Sequence, residues 1–124
     1  MAAFDPAKEG CDALYTAIVR DALGVVVPGG QIISVRLTLY YKGGAMNGQI
    51  INTRNYSDVW TGGTNEATVT ADGVFSFWFK PADNVIGDDR QKIEIHRAEF
   101  RWTTSTRVGK WWADIPVENF KVAT

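Results

Sequence analysis

Residues 33–41 read ISVRLTLYY, and their alternation constrains the fold more than any other feature of the chain. Ile33, Val35, Leu37, Leu39 and Tyr41 fall on one face; Ser34, Arg36, Thr38 and Tyr40 fall on the other. Successive side chains of a strand point to opposite faces, so a period of two marks a strand with one face in a core and one in water. The same period recurs in VFSFWFK, where Phe75, Phe77 and Phe79 oppose Val74, Ser76, Trp78 and Lys80. It recurs again in QKIEIHRAEFRWTT, and in WWADIPV, where Trp111, Ala113, Ile115 and Val117 form one apolar row. Further β-rich runs are ALYTAIVRD, VVVPGGQ (broken by Pro28 and Gly29-Gly30), GQIINTRNYSDV and EATVT. The turns between them are KGGAMNG, ADG, whose Asp-Gly pair signals a hairpin, and STRVGK; WTGGTNE and PADNVIGDDR read as loops. About seven to eight strands at roughly 8–12-residue spacing predict an all-β antiparallel sandwich. Its core is expected from Val35, Leu37, Leu39, Phe75, Phe77, Phe79, Phe100, Trp102, Trp111 and Ile115. Residues 1–12 read as a short polar arm, helical or extended, and 13–124 as one domain.

At 124 residues the chain can bury roughly two-thirds of its unfolded surface without metal or disulfides. Thirteen basic side chains against 14 acidic ones create no broad positive field, which disfavours nucleic-acid binding. Cys11 is the only cysteine, so no internal disulfide is possible and nothing points to an oxidising compartment. The start MAAFDPAKEG lacks a signal-peptide pattern, and no apolar run approaches the ~20 residues of a membrane span. The expectation is a protein made in a cytoplasm, with no membrane partner.

Candidates for chemistry are few. Asp83, Asn84, Asp88 and Asp89 could offer oxygen ligands to a cation, but their spacing does not match an EF-hand loop. Turn chemistry explains them more simply, and FWFKPADNVIGDD (77–89) reads as a strand end followed by a surface loop. His96 lies near Glu94 and Glu99, yet shares the apolar face of Ala98, Phe100 and Trp102, which suits a hydrogen-bonded histidine of the core or its rim. Glu66 and Asp72 are a carboxylate pair of the kind any acid-rich chain supplies. No serine or cysteine stands in a nucleophile context. The reading is therefore not an enzyme, with no catalytic residue, no metal and no cofactor.

Contact residues are better marked. If the phenylalanine row is core, Trp78 points outward; Trp112, beside Asp114 and Pro116, does the same. Trp60 in a loop and Phe4 in the arm are further candidates. Arg97, Glu99 and Arg101 alternate on the face opposite Phe100 and Trp102, a mixed-charge stripe that is either solvated or an assembly surface. Tyr40, Tyr56, Trp78 and Trp112 could instead stack on sugar rings, the alternative reading of a carbohydrate-binding module.

Four motifs carry a resemblance: Leu37 to Tyr40, Gly48 to Asn52, Pro81 to Asn84, and Glu94 to Trp102. Together they resemble small immunoglobulin-like structural proteins of tailed bacteriophages, over roughly Ala13 to Val122. The resemblance implies a single immunoglobulin-like β-sandwich and a non-enzymatic virion part. That part would be a capsid cement or decoration protein, or a head–tail or tail accessory. It would bind capsid or other virion proteins as a homo-oligomer or in many copies. The aromatic strand at 74–80 and Trp111-Trp112 depart from the family pattern.

Overall fold

The computed structural model describes residues 7–60, 66–87 and 92–119. Eight strands follow one another: β1 (Ala7–Lys8), β2 (Ala13–Ile18), β3 (Ser34–Tyr41), β4 (Ser57–Asp58), β5 (Ala67–Val69), β6 (Val74–Phe79), β7 (Ile93–Thr103) and β8 (Val108–Glu118). Short 3-10 turns occupy Gly29–Gln31 and Pro81–Asp83. The strands form two sheets, ordered β1-β8-β7-β3-β4 and β2-β6-β5. With β1 set aside, this is the strand order of an immunoglobulin-type sandwich. Every pairing is antiparallel except β1 with β8, where Ala7 and Lys8 run parallel to Val117 and Glu118. Ala7–Lys8 of the arm are thus extended and add a strand to the larger sheet, and the chain then turns at Glu9 and Gly10.

The alternation places the core as expected. Tyr15, Phe75, Phe77 and Phe79 point inward from the smaller sheet; Val35, Leu37, Leu39, Phe100, Trp102 and Ile115 meet them from the larger one, all essentially buried. Trp111 is half-buried and packs against this core. Antibody domains brace their two sheets with a disulfide; here Tyr15 of β2 stacks on Phe100 of β7, with ring centres 5.7 Å apart and planes 3° from parallel. Phe75 meets Phe100 edge-on at 4.9 Å. Such pairs contribute about 0.5–1.5 kcal/mol each beyond their buried area. The Trp111 Nε1–H donates to the Tyr15 hydroxyl at 2.9 Å, so that hydroxyl has a partner within the stacked core. Gly109 lies directly across from Trp102, where a Cβ would come within 2.3 Å of the indole. Only glycine lets that ring lie flat against the neighbouring strand.

Two expectations need correction, and a third is met. Ile33 is 57% exposed, because the 3-10 turn before β3 delivers Ile32 to the core in its place. The run GQIINTRNYSDV holds one short strand as expected, at Ser57–Asp58. Asn52, Thr53 and Tyr56 adopt positive φ there (52°, 54° and 56°), which breaks an extended backbone. The other correction concerns Asp83 and Asn84: the chain leaves β6 as expected but does not run onto the surface. Instead it winds into the 3-10 turn and buries both residues completely, for a reason given below.

Candidate interaction surfaces

Asp83 is buried because a guanidinium waits for it. Arg54 donates from Nε to Asp83 Oδ1 at 2.9 Å and from its terminal nitrogens to both Glu66 oxygens, at 3.0 and 2.6 Å. Asn52 Nδ2 (2.8 Å) and the Lys80 backbone N–H (2.7 Å) complete the Asp83 carboxylate. The Arg54 guanidinium also lies 5.6 Å from the centre of the Phe77 ring. Burial alone would raise the Asp83 pKa, but the bonds from Arg54, Asn52 and Lys80 outweigh it and hold the carboxyl below its usual range. Glu66 is lowered as well, chiefly by its bonds to Arg54. The cluster ties together the chain before β4, the entry to β5 and the exit from β6. Its oxygens are occupied by donors from this chain, so it is a brace rather than a ligand site.

His96 is another buried polar group. Its Nε2 lies 2.8 Å from Glu94 Oε1, and its ring meets Tyr41 edge-on at 5.1 Å. Burial pushes the imidazole pKa down, against the pull of Glu94. The expected hydrogen-bonded core histidine is what the structure contains.

The outer face of the larger sheet gathers the mixed-charge stripe. Register places Trp112 beside Glu99 and Asp114 beside Arg97, with Thr38 and Tyr40 next in line on β3. Arg97 donates to both Asp114 oxygens, at 2.8 and 3.2 Å, and its guanidinium sits 5.4 Å from the Trp112 ring centre. The bonds from Arg97 hold Asp114 below the usual carboxylate range. Trp112 itself is 55% exposed. Arg36 similarly approaches the exposed Tyr56 ring, at 5.1 Å.

The outer face of the smaller sheet is different. Its outward side chains are Leu14, Thr16 and Ile18 on β2, Val74, Ser76 and Trp78 on β6, and Thr68 on β5; none is charged. Leu14 pairs directly with Trp78, which is 55% exposed, and Ile18 pairs with Val74. Around the β2 edge this face meets an open groove of about 620 Å³, lined by Thr16, Ile18, Arg20, Val74, Trp111 and Trp112. The groove offers aromatic and aliphatic faces and one guanidinium, with no carboxylate, histidine or thiol.

The sequence candidates therefore separate. Trp78 and Trp112 flank β2 from opposite sides, one across the strand pairing and one across the groove. Arg97, Glu99 and Arg101 share the other sheet's outer face with Trp112. Trp60 is half-buried and packs against the core, which leaves only part of its ring for a partner. Phe4, Asp88 and Asp89 lie outside the described residues. Asp72 sits in the exposed turn before β6, apart from the bonds that engage Glu66. No group of three or more His, Cys, Asp or Glu side chains suited to a metal occurs among the described residues. Sequence reasoning missed the Arg54 brace and the β2 edge. Arg54 lies in a run that read only as holding a short strand, and no local signal joins it to Glu66 or Asp83. The β2 edge was visible only as another β-rich run.

These features define an all-β sandwich of immunoglobulin-type strand order that exposes Trp78 and Trp112 on its outer faces. Comparison with family models, curated proteins and solved structures returned no match for this chain.

Proposed function

We propose that this chain is a non-enzymatic contact protein that docks through the region around β2, with Trp78 and Trp112 as anchors. The observation that carries this reading is that two large aromatic side chains, each more than half exposed, flank one uncharged edge strand. Tryptophans of this kind contribute disproportionately to protein–protein affinity, because they bury much apolar area on few rotatable bonds. The groove lining supplies no acid–base pair or nucleophile, which agrees with a contact role. The resemblance of its motifs to phage structural proteins gives the setting: a cement or decoration protein of a capsid, or a head–tail or tail accessory. Repeated copies on a lattice would then add avidity to a modest affinity per copy.

Mass spectrometry of purified particles of the encoding phage, with copy number, tests the setting. Hundreds of copies per particle support a capsid lattice protein, and about a dozen or fewer support the neck or tail. Complete absence removes the virion reading.

A second reading has one observation in its favour. Tyr40, Tyr56 and Trp112 share the outer face of the larger sheet, where sugar rings could stack, although Trp78 lies on the other sheet. A glycan array decides it: binding lost with Trp112→Ala but kept with Trp78→Ala supports a glycan site, and indifference to every glycan removes it.

A further inference from the structure

We propose that β2 is a self-pairing edge, and that its occupant is the β2 strand of a second copy of this chain, antiparallel about a two-fold axis at Thr16. The inference rests on the contact reading and specifies one partner within it. The Val19 N–H donates to the Gly73 carbonyl at 2.9 Å, on the β6 side. Backbone polar groups of alternate residues point to opposite sides of a strand, so Leu14, Thr16 and Ile18 turn theirs to the side away from β6. No described strand pairs with them there.

Other edges are protected. β1 and β4 are two residues long and β5 three. The stretch of β8 beyond β1 carries Lys110 and Pro116, which blunt an edge. β2 has six residues with neither proline nor charge. An exposed edge of this length and composition is a template for another strand.

The sequence around it is self-complementary. A two-fold axis at Thr16 sets Thr16 against Thr16, Leu14 against Ile18, and Asp12 against Arg20. Leu14, Thr16 and Ile18 direct their backbone to the open side, so their pairs can exchange both N–H···O bonds, with Asp12 and Arg20 following at the two ends of the strand. Asp12 and Arg20 are exposed, and neither is in an ion pair within the described chain. Pairing gives each an opposite charge twice over, once at either end of the strand. The uncharged faces then adjoin, joining two three-stranded sheets into one continuous sheet.

Sedimentation equilibrium of the purified full chain, from micromolar to millimolar concentration, tests the pairing. A reversible dimer is expected. Arg20→Glu sets two like-charge pairs against each other and should weaken association about tenfold or more. Adding Asp12→Lys to Arg20→Glu restores opposite charges and should restore the dimer. Should Arg20→Glu fail to fold, Asp12→Lys alone must weaken association in the same way. A parent chain that stays monomeric overturns the proposal, as does a dimer indifferent to these charges or a double variant that fails to recover. A monomer that still loads onto particles removes self-pairing but leaves the contact reading standing. A charge-sensitive dimer absent from every particle does the reverse.

Discussion

Arg54 and Arg97 have been given nearly the same partners. Each donates two hydrogen bonds to one aspartate, and each lies over an aromatic ring, at 5.6 Å from Phe77 and 5.4 Å from Trp112. What differs is depth. Arg54 and Asp83 are buried, and Glu66 adds a second carboxylate; Arg97, Asp114 and Trp112 stand in or near water. A buried charge without its partner pays the whole cost of desolvation, whereas an exposed one returns to water. The same chemistry therefore serves as a brace in one place and as an adjustable surface in the other. A partner can take hold of Trp112 without disturbing the fold, because the ring and its guanidinium lie outside the core.

The largest effect that could break this comparison is on stability. Arg54→Ala should cost about 3–5 kcal/mol, because it strands two buried carboxylates. Denaturant unfolding measures it, and Arg97→Ala should shift the midpoint far less. Equal losses from the two substitutions would make the distinction by depth untenable. Acid should separate the pair next. The folded pKa of Asp83 lies below its unfolded value of about 3.9, so its stabilisation is complete above that value and is lost as pH falls through the folded pKa. Asp83→Asn should lower stability at neutral pH and flatten its decline below about pH 4. Asp114→Asn should change that acid limb much less, as melting temperatures from neutral pH downward would reveal. Smaller again is the effect of Trp112→Ala on folding, expected within about 1 kcal/mol, while binding to the partner particle falls sharply. A large stability loss with normal binding would place Trp112 among the structural residues. Least of all, added salt should weaken the Arg97–Asp114 pair and leave the Arg54 brace almost untouched. Double-mutant cycles at low and high salt would resolve the difference.

Most of the sandwich was legible in the sequence because its inward rows repeat at the period of a strand. The Phe75, Phe77 and Phe79 row, and the Ala113, Ile115 and Val117 row, needed nothing more than counting by two. Ile33 misled because a 3-10 turn resets the phase one residue before β3 begins. Asp83 misled for a different reason: its burial depends on Arg54 and Asn52, which reach it only once the chain has folded. The outward positions of Trp78 and Trp112 followed from alternation alone. Their position on either side of β2 did not, since it depends on which strands lie at the edges, and sheet order is not written in any one segment.

The register of the longest strands also bears on how the chain acquires its shape. β7 and β8 pair along their full lengths, from Thr103 with Val108 to Ile93 with Glu118, around one short turn. This hairpin asks little loop-closure entropy of the chain and is expected to form early. β2 must instead find β6 from far away in sequence, matching Ala13 to Phe79 and Ile18 to Val74. The strand with the open edge, like β3 on β7, is therefore expected to be set in place after that hairpin. During folding, its unpaired edge is expected to be held in register only once β6 has been found.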